Sequence, residues 1–399
     1  MSPSARVVGG VVFLYFIIAL EVLVMISPFA GFFYAAFNPV LLFLTSSTAT
    51  RWLGGFFLPH MVTPPGALLR SVRVAGSVLF VGGVIAFLAC AAQVYWSKLA
   101  RRGPVQGGLY RWIRHPQYLA LAATGLGLAI LWPRFLTVVL WAVMVALYRI
   151  LARDEERRMT KQFGEGYQSY QAATGMFLPR PVEAVLARVS WPRGTWERTT
   201  LRLALLFAVA VGSAFALRAY TVSKLPVWSV GAVTALPVLP ADMAPVSHRM
   251  EAVLDMPEVH ERLPAGTALL AYVLPVEYVM QGMIADTDPT WRLYQRHQTL
   301  PMIADWVVHP FRHLEGGHAA HMHEHGDLAA PIGGGLVRRI IFVRVETENE
   351  DRSPAALFSM TAARRPLFFA DVDFHASRLL RVQDLGPGTG WGNLPTPMF

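Results

Sequence analysis

Long apolar runs separated by short basic segments fill the first half of the chain, and short alternating runs fill the second. A helix that crosses a bilayer needs about 20 mostly apolar residues. Five runs reach or approach that length, at residues 8–26, 74–95, 119–132, 135–148 and 201–217. The third and fourth meet at Trp132-Pro133-Arg134 and predict a helical hairpin turning at the far membrane interface. A sixth stretch, 29–44, is broken by Asn38-Pro39 and suits either a re-entrant or interfacial helix or a further span. The first run is longer than a signal h-region and has no clear small-residue cleavage site, so it reads as a retained membrane helix.

From residue 225 the character changes to prolines, mixed charges and short runs. Residues 269–274 and 336–346 (LVRRIIFVRVE) predict strands by alternation and β-branched content. Residues 289–308 are more ambiguous and suit a helix, and a Gly/Pro-rich tail ends the chain in NLPTPMF. The pattern therefore predicts an all-α multi-pass membrane bundle of about five spans plus the 29–44 segment, followed by a small soluble α+β domain. The expected divisions are 1–73 for the N-terminal helix and re-entrant segment, 74–220 for the membrane core and 221–399 for the soluble domain.

Composition supports the membrane reading: 54% of residues are hydrophobic and 15% charged, against roughly a quarter charged in soluble domains. The net charge of +9 then reflects positive-inside flanks rather than a nucleic-acid surface, since no basic stripe carries interleaved aromatics. Basic clusters follow the second run (Lys98, Arg101, Arg102, Arg111, Arg114) and the hairpin (Arg149, Arg153, Arg157, Arg158, Lys161). A third (Arg193, Arg198, Arg202) precedes the last run. All three segments are expected to be cytoplasmic, which puts residues after about 220 outside. Cys90, the single cysteine, lies within an apolar run, which argues against disulfides, thiolate zinc sites and a cysteine nucleophile.

If the hairpin crosses the membrane and returns, the polar residues on either side of it emerge on one face. The first cluster is GGLYRWIRHPQY and the second DEERRMTKQFGEGYQSY. Arg114 offers a planar fork for a carboxylate, His115 exchanges a proton near neutral pH, and Pro116 starts the next helix. Gly108 permits a tight turn. Glu155 and Glu156 are adjacent and about 100° apart on a helix, so at most one faces the site squarely. Each cluster taken alone reads as interfacial anchors or a solvated helix end; their order around the hairpin raises the pair above that reading.

Gly108, Tyr110, Arg114, His115, Pro116 and Tyr118, then Glu155, Glu156, Met159, Phe163, Gly164, Tyr167 and Tyr170, form a combined pattern. It resembles that of the isoprenylcysteine carboxyl methyltransferase and phospholipid methyltransferase superfamily. The resemblance implies S-adenosylmethionine (SAM) bound at the cytoplasmic side and a methyl group passed to an oxygen, nitrogen or sulfur of a lipophilic acceptor. It implies that Arg114 and His115 engage the methionyl carboxylate. It further implies that Tyr118 and the 163–170 segment wall the cofactor, with Gly108, Tyr110 and Pro116 in the same motif. Glu156, or Glu155, would contact the ribose or the acceptor. Either His115 or a glutamate would take the acceptor's proton.

Three features fall outside this pattern. Glu21 lies within the first run, where it would line a cavity or bond inside the bundle. The 45–66 loop carries Arg51 and His60. His313, His318, His321, His323 and His325, with Glu315, Glu324 and Asp327, form a histidine-rich tract. Imidazole and carboxylate suit a divalent transition metal, and His318, His321, His323 and His325 are its candidate ligands; a solvated flexible loop is the alternative. The rival to an enzyme is therefore a membrane-anchored metal-binding or assembly protein on the same bundle.

Overall fold

A computed structural model describes residues 43–44, 46–47, 49–59, 62, 66–100, 104–187, 195–276, 278, 281–287, 336–347 and 351–387. The 8–26 run, Glu21, most of the 29–44 stretch, His60, residues 289–308, the histidine tract and the C-terminal tail lie outside these residues. The chain separates into two compact units, Met1–Val22 with Arg70–Ala216, and Leu23–Leu69 with Leu217–Phe399.

The first unit is helical. Helix α1 spans Ala67–Leu99, α2 Pro116–Leu131 and α3 Phe135–Phe163. Two short helices follow, α4 (Glu165–Ala173) and α5 (Arg180–Ala187), and then α6 (Thr195–Ser223), which continues into the second unit. Among the described residues, three helices are long and apolar enough to cross a membrane: Ala67–Ser97, Phe135–Phe163 and Thr199–Ser223. The expected run 119–132 is a helix, but its 16 residues extend only about 24 Å at 1.5 Å per residue. Of the five expected spans, three are thus long enough among the described residues, α2 is a shorter apolar helix, and the 8–26 run lies outside them.

Small residues let α1 and α2 approach closely. A Cβ at Gly83 would lie 2.5 Å from Thr124 Oγ1, and one at Gly127 would overlap the backbone nitrogen of Phe80. Without a hydrophobic drive between helices in lipid, such close backbone packing is what holds them together. The α2–α3 turn is pinned by Thr137, whose hydroxyl donates to the Trp132 (3.0 Å) and Arg134 (2.6 Å) carbonyls. Further along, Trp141 Nε1 donates to the Ala122 carbonyl at 2.8 Å, tying α3 to α2.

The second unit contains a six-stranded sheet in the order β1 to β6. The strands are Trp228–Val230, Val233–Pro237, Leu269–Pro275, Val337–Glu346, Ala363–Asp373 and Arg378–Asp384. Only β2 and β3 pair in parallel, and the chain between them forms α7 (Met243–Leu254) and α8 (Pro257–His260), as a parallel connection requires. Alternation along β3 sends Leu269, Ala271 and Val273 to one face, against Val246, Met250 and Val253 of α7. Leu270, Tyr272 and Leu274 face the opposite core with Leu225 and Phe358. A strand covered on both faces reads as a continuous apolar run.

Charge is also buried here. Arg339 forks onto Asp371 at 2.7 Å through both Nε and Nη2, donates to Gln281 at 2.8 Å and lies over the Phe369 ring at 4.1 Å. Arg338 pairs with Asp242 at 2.8 Å. Arg218, near the end of α6, donates to the backbone carbonyls of Phe56 and Phe358.

Candidate functional site

The first polar cluster is shaped by its own backbone. Gly108 has φ of 61°, in the left-handed region that favours glycine. It opens a single 3-10 turn over Gly108–Arg111, and Gln93 Nε2 holds the Gly107 carbonyl at 3.0 Å. The chain then runs beside residues 174–176. Ile113 and Gly175 form a parallel bridge, the Arg114 amide donates to Gly175 (2.8 Å), and the His115 amide donates to Met176 (3.1 Å). Pro116 occupies the first turn of α2 directly after His115, where its missing N–H costs nothing.

The second cluster arrives on α3. Tyr148, Ala152 and Glu156 are all buried, and their spacing of four makes one stripe of the helix. Glu156 is therefore the more buried of the two glutamates. The Glu155 side chain, a third of a turn away, is 38% exposed.

The clusters meet at Glu156. Arg114 Nε donates to Glu156 Oε1 at 2.6 Å, while its Nη1 donates to the Gln171 carbonyl (3.1 Å) and the Thr174 carbonyl. His115, 3% exposed, places Nε2 3.3 Å from Glu156 Oε1 and Nδ1 3.6 Å from Glu155 Oε2. Its ring stacks on Tyr118 (centroids 5.5 Å apart), and Tyr118 stacks on Tyr148 (5.1 Å). The Tyr118 hydroxyl donates to Glu155 at 3.4 Å. Arg114, His115, Tyr118, Glu155 and Glu156 thus form one contact network, with Pro116 beside it.

The tyrosines of α4 lie at its edge. Tyr170 donates to the Tyr110 carbonyl at 2.5 Å, and Tyr167 packs against Tyr170 with centroids 5.8 Å apart. Burial pushes the Tyr170 hydroxyl up to about 12, with the Arg114 charge opposing and the Glu156 carboxylate reinforcing that shift. Tyr110 and Tyr167 are raised as well, mainly by burial. All three remain neutral donors at physiological pH. Phe163 sits exposed at the end of α3, and Gly164, with φ of 59°, lets the chain turn into α4.

Sequence reasoning missed Glu183. Its Oε1 accepts the backbone N–H groups of Met176 (2.9 Å), Phe177 (3.1 Å) and Leu178 (3.3 Å). That carboxylate braces the loop to which Arg114 and His115 are bonded. Gly175 belongs to the same device, because a Cβ there would overlap the Leu178 carbonyl oxygen. The signal in the sequence is faint: a glutamate in the first turn of a helix begun near Pro179.

Two cavities adjoin the network. One, of about 790 Å³, is polar and lined by Glu156, Arg153, Arg157, Thr160 and Gln171. The other, of about 930 Å³, is mainly apolar, with Leu119, Val145 and Leu206 in its wall together with Arg114 and Tyr118. Glu156 lines the first and Arg114 the second, so the ion pair joins them; Thr199 and Arg202 line both. Among the described residues no group of three or more His, Cys, Asp and Glu is placed to hold a metal. The four histidines singled out, His318, His321, His323 and His325, lie outside those residues.

Residues 72–166 match the phospholipid methyltransferase family. No curated protein and no solved structure matches the chain. The matched segment holds α2, almost all of α1 and α3, and the whole Arg114–His115–Glu156 contact set, and it stops short of Tyr167, Tyr170 and Glu183. Residues 72–166 are a phospholipid methyltransferase domain, within the superfamily that includes the isoprenylcysteine carboxyl methyltransferases.

Proposed function

We propose that this membrane protein transfers a methyl group from SAM to a lipophilic acceptor at the cytoplasmic membrane face. The observation that carries the reading is the buried Arg114–His115–Glu156 cluster standing between a polar and an apolar cavity. A methyltransferase needs room for a polar cofactor and a lipophilic acceptor on either side of one set of functional groups. The match to a lipid methyltransferase family supports the same assignment.

The donor set fits SAM. It offers cations for a carboxylate, a carboxylate for ribose hydroxyls, and neutral partners in Thr160 and Gln171. When bound, SAM supplies an electrophilic methyl group on a sulfonium sulfur. Arg114 and His115 are assigned to its carboxylate and Glu156 to the ribose or the acceptor. Gly108, Tyr110, Pro116, Tyr118, Phe163, Tyr167 and Tyr170 shape the surrounding wall. The Arg114–Glu156 pair holds both groups in place, so little reorganisation accompanies binding. His115, buried between Glu155 and Glu156, can hold a proton taken from a hydroxyl or amine acceptor, and its burial limits access of water to the reacting groups. In this reading residues 74–220 form the catalytic core, and the 221–399 domain has a gating or partner-binding role outside the cytoplasm.

The test is a calorimetric titration of SAM into the detergent-purified protein. Binding should weaken on the order of ten- to a hundred-fold in Arg114→Ala and in Glu156→Ala, the loss expected for charge-assisted hydrogen bonds. Wild-type affinity in both variants would remove the site assignment. A folded wild-type protein that binds no SAM would remove the methyltransferase reading.

A further inference from the structure

In the sheet unit, Arg338 and Arg339 are each buried against an aspartate, but Arg364 has no carboxylate partner among the described residues. It stands opposite Val345 across the β4–β5 pair. Directly paired residues share a face of the sheet, so Arg364 lies on the side where Val345 packs with Leu270, Tyr272, Leu357 and Phe358. There its Nη2 donates to two neutral groups, the carbonyls of Leu357 (2.8 Å) and Ser359 (3.1 Å). Arg218 donates to the carbonyl between them, that of Phe358. Two guanidiniums therefore grip three successive peptide units that close the short helix Pro354–Leu357.

Two polar atoms on this face are sealed from solvent without a hydrogen-bond partner, Arg364 Nε and Tyr272 Oη. Tyr272 is 1% exposed. Burial pushes its hydroxyl up to about 12, with the Arg364 charge opposing, so it stays a donor at physiological pH. A buried donor without an acceptor bears its full desolvation cost, and a buried cation needs a compensating charge. A water molecule would answer the first need alone, whereas an anion answers both. The two carboxylate oxygens have about four acceptor sites to fill, which two donors among apolar side chains do not supply. A monatomic anion asks for less. Arg364 as a whole is half-buried, so an ion can reach it from the surface.

We infer that Arg364 and Tyr272 form a halide site in the sheet unit, where chloride accepts from the Arg364 Nε–H and the Tyr272 O–H. The ion ties β3 to β5 beside the 357–359 segment, which Arg218 also holds. The site is independent of the methyltransferase reading, and no step of methyl transfer passes through it.

The experiment follows thermal unfolding of the full chain in neutral detergent, with sodium chloride replacing sodium gluconate at constant ionic strength. The midpoint should rise with the logarithm of chloride concentration once the site begins to fill, as for any ligand of the folded state. Bromide should act in the same way. In Tyr272→Phe and in Arg364→Lys, which keeps the charge but loses the Nε–H, the apparent chloride dissociation constant should weaken at least about tenfold. That is the loss of one charge-assisted hydrogen bond. Tyr272→Phe has a second signature: in gluconate it should be no less stable than the wild type, because it deletes a buried hydroxyl that has no partner. Should one variant fail to fold, the other carries the test. A midpoint insensitive to chloride overturns the inference, as does an equal rise with sulfate or a chloride dependence unchanged in either folded variant. A Tyr272→Phe protein destabilised in gluconate also overturns it, since the hydroxyl would then be satisfied without the ion.

Discussion

At the residue scale the site is a set of mutual restraints. Arg114 and His115 are held by backbone bonds to residues 175 and 176, and Glu183 in turn holds the loop. Glu183→Ala should therefore weaken SAM binding several-fold although Glu183 lies outside the ion-pair cluster, and Glu183→Gln, which keeps an acceptor oxygen, should recover part of the loss. Equal defects in the two variants would count against the bracing role. Tyr170 gives a pH prediction. Its folded pKa, about 12, exceeds the unfolded value near 10, so it contributes stability that is complete below pH 10 and lost as pH rises through 12. Thermal unfolding of the wild type should fall over that window more steeply than that of Tyr170→Phe; parallel slopes would rule the contribution out. The sequence brought Arg114 and Glu156 together through the hairpin argument and put Glu156 ahead of Glu155 only by resemblance, since helix geometry alone does not say which of the two is covered. The buried stripe Tyr148–Ala152–Glu156 separates them, because only packing says which helix face is covered.

At the element scale, the apolar pattern located the helices and misjudged one length. Residues 119–132 read as a span, but Trp132-Pro133 ends α2 after 16 residues, since proline cannot continue a helix. Helix α3 runs well past its apolar part to Phe163, carrying the glutamates on the same rigid rod as the hairpin core. Close approach of α1 and α2 at Gly83 and Gly127 was invisible, since a glycine in an apolar run does not reveal what lies against it. Gly127→Val should push Phe80 away and destabilise the helical unit by about 1–3 kcal/mol, as overpacking does. Chemical denaturation of the purified protein checks this, and an unchanged midpoint would mean the helices separate at no cost.

At the scale of the whole molecule there are two cores, one of close-packed helices and one built on a sheet. Chains with two cores commonly unfold in more than one step. Two transitions are expected in denaturant, and Asp371→Ala, which strips Arg339 of its buried partner, should move only one of them. Leaving a buried charge uncompensated costs about 3–5 kcal/mol. A single coincident transition, or a shift in both, would show that the cores unfold as one. The sequence marked residues 336–346 as a strand but offered no hint that Arg338 and Arg339 are buried against Asp242 and Asp371. Strand alternation specifies faces, not partners, and these partners are distant in the chain.

What the sequence determined by itself is whatever depends on local pattern. Apolar length marked the membrane helices, period-two alternation marked the strands, and two polar clusters flanking a hairpin carried a residue pattern that resembles that of lipid methyltransferases. The tertiary structure decided what depends on which surfaces meet. It buried Glu156 and left Glu155 partly exposed, placed Glu183 and Gly175 behind the cluster, and set a polar and an apolar cavity on either side of one ion pair. Hydrophobic periodicity is written along the chain, whereas hydrogen-bond partners and cavities are properties of segments brought together only by folding.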